Sequence, residues 1–106
     1  MKSYTDLEQS KVLADILPLE SADMYYFDDN GGDPDFKVRD GITYYYDSED
    51  FLCCWSLTAL LEVLPNENML VKTTDGEYYC IAKDVMTEHY DNPIDACVAM
   101  IDKLHE

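Results

Sequence analysis

Basic side chains are scarce in this sequence of 106 residues. There are seven Lys and Arg against 23 Asp and Glu, so the formal net charge is −16 at pH 7. The acidic excess is spread over both halves of the chain. Because contacts with phosphate groups need a basic footprint, we expect no direct binding to nucleic acid or to an anionic membrane. A basic partner, a cation or solubility alone remain as explanations of the charge.

Long apolar runs are also lacking. No stretch reaches the length of a membrane span, and the first residues lead directly into polar sequence that does not resemble a signal peptide. We therefore expect a cytoplasmic protein whose four cysteines are reduced thiols. The length fits a single domain, residues 1–106, with room for one core that needs neither metal nor disulfide.

Cysteine and histidine are few and lack the spacing of known sites. Cys53 and Cys54 are adjacent, whereas zinc ligands are usually separated, and Cys97 lies at a core position of a predicted helix. His89 is near Asp91, but a reactive thiolate needs positive surroundings that this chain lacks. With no glycine-rich phosphate loop either, we expect no metal site, no cofactor and no enzymatic activity.

One segment concentrates side-chain oxygens. Residues 28–40 contain Asn-Gly-Gly and Asp-Pro, which predict a loop. The order of acids does not match an EF-hand, so weak cation association is the most that the pattern indicates. Four of the carboxylates are candidate binding residues: Asp28, Asp29, Asp33 and Asp35.

The remaining pattern predicts seven elements. Thr5 and Glu8 form a capping-box pattern at the start of a helix over 6–17, whose apolar face contains Val12 and Leu13. The other predicted elements are strands 24–27 and 42–46, a helix capped by Ser56 and ended by Pro65, a hairpin of 69–73 and 78–82 about Asp75-Gly76, and a helix after Asn92-Pro93. The order αββαββα predicts an α+β fold with a four-stranded, mainly antiparallel sheet and helices mostly on one face.

Tyrosine is abundant, with nine residues in the chain. If helices cover one face of the sheet, tyrosines on the strands line the other face. A surface of Tyr and carboxylates suits an Arg-rich protein through cation–π and charge-assisted contacts. Tyr25, Tyr45 and Tyr79 are therefore candidate binding residues. The alternative is that these side chains cover sheet edges with their hydroxyls in water.

Three stretches together resemble a known group of proteins. The most distinctive is Cys54-Trp55-Ser56-Leu57, and the others are Ser21 to Tyr26 and Asn92 to His105. They resemble short uncharacterised acidic proteins of phages and mobile elements of gut Bacteroides-type bacteria. The resemblance implies a mobile-element origin and supplies no activity and no functional residues.

The leading hypothesis is a non-enzymatic accessory protein that binds a basic macromolecular partner through an acidic, Tyr-rich surface. One alternative is a DNA mimic that inhibits a nucleic-acid-binding protein, which requires the charge to be concentrated on about a third of the surface. Another is a small thiol- or metal-dependent enzyme.

Overall fold

The computed structural model describes residues 2–27, 37–40 and 51–105. It contains the helices α1 (Leu7–Ile16), α2 (Leu57–Val63) and α3 (Pro93–Leu104), with a short 3₁₀ turn at Leu19–Ser21. It contains the strands β1 (Met24–Phe27), β2 (Lys37–Asp40), β3 (Phe51–Cys54), β4 (Met69–Lys72), β5 (Tyr78–Ala82) and β6 (Val85–Met86). The predicted α+β class is confirmed.

The described strands form two antiparallel sheets of three strands, so the prediction of a single four-stranded sheet was wrong. The first sheet has the order β2-β1-β3 and the second has the order β4-β5-β6. Each central strand is paired on both sides within its own sheet, which leaves no edge of β1 or β5 for a joint sheet. The helices also divide, since α1 packs against β3 and α3 packs against β5.

Three of the six strands carry weak sequence signals and were not predicted. The β2 strand, Lys-Val-Arg-Asp, has one apolar residue, β3 is a short run directly before a helix, and β6 has only two residues. The predicted loop 28–40 was therefore wrong over its last four residues, which form β2. Residues 28–36 and the predicted strand 42–46 lie outside the described residues.

The start of α1 differs from the prediction. Asp6, not Thr5, is the N-cap: its Oδ1 accepts a hydrogen bond from the Gln9 amide at 2.8 Å, and the Gln9 Oε1 accepts one from the Asp6 amide at 3.1 Å. Thr5 is buried, and its Oγ1 accepts a hydrogen bond from the Trp55 amide at 3.1 Å and lies 2.7 Å from the Ser10 Oγ. Because the buried Trp55 amide needs an acceptor, the Thr5 hydroxyl bonds to it, and the N-cap of α1 is the next residue, Asp6.

The other helix starts and the hairpin follow the sequence signals. The Ser56 Oγ accepts from the Ala59 amide at 3.2 Å, and the Asn92 Oδ1 accepts from the Asp95 amide at 2.9 Å, so both predicted N-caps are confirmed. The hairpin of β4 and β5 closes through the Thr73 amide, which donates to the Glu77 carbonyl at 2.8 Å. Gly76 has a φ of 85°, which favours glycine in this turn.

Candidate functional site

A groove of about 480 Å³ lies between α1 and α3. Its floor is apolar and contains Val12 and Leu13 from α1 and Val98 and Ala99 from α3, with Tyr90 beside them. Val12 is 47% exposed, which contradicts its predicted place on the core face of α1. The groove therefore exposes apolar surface that no other described part of the chain covers.

The buried face of α1 explains why Val12 is exposed. Ser10 and Leu13 are fully buried, and they lie three residues apart on one side of the helix. The Oγ of Ser10 bonds to Thr5, which allows a polar residue to occupy a core position. The apolar spacing of the sequence predicts Val12 on the buried face of α1, because a serine such as Ser10 is not expected at a core position.

A polar network joins the N-terminal ends of α1 and α3. The Lys2 Nζ lies 2.9 Å from the Asp6 Oδ2, 2.8 Å from the Asp95 Oδ1 and 3.1 Å from the Gln9 Oε1. The Gln9 Nε2 donates to the Asp95 Oδ1 at 2.7 Å. Carboxylates are stabilised at these positions because the first turn of a helix carries positive partial charge. The network closes one end of the groove.

The side chains of this network stabilise one another's ionised forms. Burial opposes ionisation of Asp95, but hydrogen bonds from Lys2, Asn92 and Gln9 lower its pKa. Burial likewise opposes ionisation of Asp6, whose pKa is lowered by the Gln9 amide and by Lys2. Burial also opposes the charge of Lys2, whose pKa is raised by its bonds to Asp95 and Asp6. The positive charge of Lys2 and the negative charges of Asp6 and Asp95 therefore stabilise one another at the partly exposed end of the groove.

Two further carboxylates on the rim have no partner among the residues that the structure describes. Glu8 on α1 and Asp102 on α3 are exposed and line the groove. Neither side chain takes part in a hydrogen bond or ion pair with any described residue. The groove thus combines an apolar floor with one unengaged negative charge on each wall.

The candidate tyrosines lie on different sheets. Tyr79 lies on β5 opposite Val71, and its ring stacks on the His89 ring with centroids 4.8 Å apart. Tyr25 lies on β1, where it pairs with Arg39 and Cys53. Tyr25 and Tyr79 therefore do not share one sheet face. The other candidate residues lie outside the described residues: Tyr45, Asp28, Asp29, Asp33 and Asp35.

A second exposed apolar surface lies on the second sheet. Met69 of β4 and Met86 of β6 are 56% and 58% exposed, and both pair with Ile81 of β5. Their side chains lie on the face that α3 does not cover, because Cys80 on the opposite face is fully buried. The row formed by Met69, Ile81 and Met86 contains no charged residue, whereas the groove has a carboxylate on each wall.

The thiols and imidazoles do not gather into a reactive site within the described residues. All four cysteines are buried, and no disulfide joins any of them. A hydrogen bond with Cys80, together with burial, raises the pKa of Cys97. The His89 Nδ1 lies 3.7 Å from the Glu77 Oε1. Over residues 2–27, 37–40 and 51–105, no group of three or more His, Cys, Asp or Glu could hold a metal ion.

Comparisons of the chain with protein-family models, with curated proteins and with solved structures gave no match. Among the described helices, none has the length and apolar character that a membrane span requires.

Proposed function

We propose that the protein is a non-enzymatic accessory protein that binds a basic macromolecular partner, and that the groove between α1 and α3 contacts that partner. The observation that supports this proposal is that one groove is lined by the exposed Val12 and by two carboxylates, Glu8 on α1 and Asp102 on α3, that have no partner among the described residues. Lys or Arg side chains of a partner can pair with the two carboxylates while apolar side chains cover the floor. Tyr90 adds an aromatic ring that favours a cation.

The net charge and the groove contribute at different stages of binding. A charge of −16 attracts a basic protein over long distances and raises the association rate, an effect that salt screens. An ion pair that Glu8 or Asp102 forms with the partner is exposed, so each contributes only about 0.2–1 kcal/mol to the binding free energy. The apolar floor therefore has to supply most of the short-range affinity, and it controls the dissociation rate.

The proposal also covers the origin of the protein and the compartment in which it binds its partner. On the resemblance described above, we place it among proteins of phages or mobile elements, and its partner among basic host or phage proteins. A basic cytoplasmic partner is consistent with reduced thiols at Cys53, Cys54, Cys80 and Cys97.

A basic peptide provides a direct test. A fluorescent Arg- and Lys-rich peptide should bind the protein, and binding should weaken steeply between roughly 50 and 500 mM salt. The double variant Glu8→Gln, Asp102→Asn should weaken binding several-fold. The matched control Glu62→Gln, Asp84→Asn removes the same charge at exposed positions away from the groove. It should weaken binding less, since it reduces only the long-range attraction.

Two results would count against the proposal. If the peptide does not bind, or binds equally well across the salt range, the acidic surface is not a binding surface and the charge serves solubility. If both double variants weaken binding equally, only the total charge matters and the groove is not the contact site.

A further inference from the structure

We infer that the groove accepts an amphipathic basic helix of the partner, an inference that rests on the proposed function and specifies the partner's local structure. The walls of the groove are two helices of 10 and 12 residues, about 15 and 18 Å long at 1.5 Å per residue. Lys2, Gln9 and Asp95 join them at their N-terminal ends. A trough between two helices has the shape that a third helix fills, with side chains of one helix packing between those of the others.

The floor favours a helix with a narrow apolar stripe. Val12 contributes to this floor from α1, and Val98 and Ala99 contribute to it from α3. Ala99 has a small side chain, which lets a partner helix approach the α3 backbone closely. Apolar side chains that recur every three to four residues would meet this floor over about two to three turns of helix.

The rim determines which charges flank that stripe. Glu8 belongs to the α1 wall and Asp102 to the α3 wall, so unengaged negative charge lies on both sides of the floor. A helix in the groove therefore needs Lys or Arg on both flanks of its apolar stripe. Acidic flanks would place like charges opposite Glu8 and Asp102 and would be repelled.

An extended segment fits the groove less well than a helix. Extended peptides gain affinity from hydrogen bonds to the open edge of a sheet. Away from the helix ends, the backbone groups of both walls are bonded within α1 and α3. The backbone of Tyr90, beside the floor, is bonded to that of Tyr78 at 2.7 and 2.8 Å. The described lining therefore offers a strand no edge to pair with.

Two peptides of identical composition test this inference. The first places Leu at helical spacing with Lys and Arg on both flanks, and the second scrambles the order so that no stripe forms. With the wild-type protein we expect the striped peptide to bind at least about fivefold more tightly, the gain expected from burying only part of one apolar side chain. Its far-ultraviolet circular dichroism should become helical on binding, whereas that of the scrambled peptide should not.

Matched variants locate the contact. Val12→Gln removes the exposed apolar group from the groove, and Ala99→Gln obstructs the opposite wall. Met69→Gln removes a similarly exposed apolar group from the second sheet. We expect both groove variants to reduce the preference for the striped peptide to less than about twofold and Met69→Gln to leave it unchanged. All three positions are at least partly exposed, and circular dichroism of the free variants checks that they fold.

The outcomes separate this inference from the proposed function. If the two peptides bind equally, in a salt-dependent manner, the helix inference is wrong while binding of basic partners stands. The inference is also wrong if Met69→Gln, and neither groove variant, removes the preference. If neither peptide binds even at low salt, the proposed function fails together with the inference.

Discussion

The two sides of α3 contain residues at similar helical spacing in different surroundings. On one side Ile94, Cys97 and Ile101 are at most 1% exposed and pack against the second sheet. On the other side Asp95, Val98, Ala99 and Asp102 form a stripe with the same spacing that lines an open groove. The second stripe begins and ends with a carboxylate.

The comparison shows that helical periodicity identifies a contact face but not what covers it. The Ile101 side is covered by β5 from the same chain. On the other side Val98 and Ala99 are only partly buried, and the polar contacts of Lys2 and Gln9 with Asp95 lie at the N-terminal end of α3. We propose that a partner completes the second side, and the following predictions test whether the two sides differ in energy as well as in exposure.

The largest effect is expected from a charge placed on the closed side of α3. Ile101→Asp buries a carboxylate without a partner, which costs several kcal/mol against a total stability of about 5–15 kcal/mol. We expect cooperative thermal unfolding to be lost. Ala99→Asp adds the same charge to the groove side of the same helix and should cost only about 1–2 kcal/mol, from lower helix propensity and from repulsion by Asp95 and Asp102. Similar melting temperatures for the two variants would show that the sides do not differ.

The closed side of α1 depends on a hydroxyl rather than on apolar packing alone. Thr5→Val removes the partner of the Ser10 Oγ and the acceptor of the Trp55 amide, both of which are buried. Leaving them unpaired should reduce the free energy of unfolding by about 1–3 kcal/mol in urea denaturation. Thr5→Ser retains the hydroxyl and should cost less. An equal loss in both variants would show that the hydroxyl contributes no more than the methyl group that only Thr5→Ser removes.

The Lys2 network should contribute a small stability that depends on pH. The pKa values of Asp6 and Asp95 are lowered in the folded protein, so their contribution is present above the unfolded value of about 4 and is lost as pH falls through the folded values. Lys2→Gln should therefore lower the melting temperature at pH 7, by the equivalent of about 1 kcal/mol or less, and have little effect near pH 2. Lys11→Gln, at an exposed position of α1, is the control. Identical pH profiles for the two variants would contradict the role of Lys2.

The smallest effect is expected from metal chelation and reduction. The four cysteines are buried and form no disulfide, and the described residues contain no cluster of metal ligands. Neither EDTA nor a reductant should shift the melting temperature by more than about a degree or two. Stoichiometric zinc in protein purified without added metal would contradict this.

Local signals in the sequence predicted much of the fold. Ser56 and Asn92 cap helices as expected, and the hairpin about Gly76 forms. The division into two sheets could not be predicted, because pairing of distant strands depends on tertiary packing rather than on the four-residue pattern of β2 or β3.

The groove could have been predicted only in part. Asp95 to Asp102 shows the helical spacing of an acidic stripe, but the exposure of Val12 depends on the buried hydroxyl of Ser10. The contact between Lys2 and Asp95 joins residues 93 positions apart, which no local pattern encodes. The prediction that the candidate tyrosines line one face assumed a single four-stranded sheet, whereas the described strands form two sheets.

The most direct test of the account is amide chemical-shift mapping of the isotopically labelled protein during titration with the striped basic peptide. We expect the largest shifts along Glu8–Leu13 and Asp95–Asp102, with the amides of β4 and β6 nearly unchanged. The shifts should diminish as salt is raised, since the carboxylates at the rim are screened. Shifts centred on Met69 and Met86, or spread evenly over the surface, would contradict the assignment of the groove as the binding site.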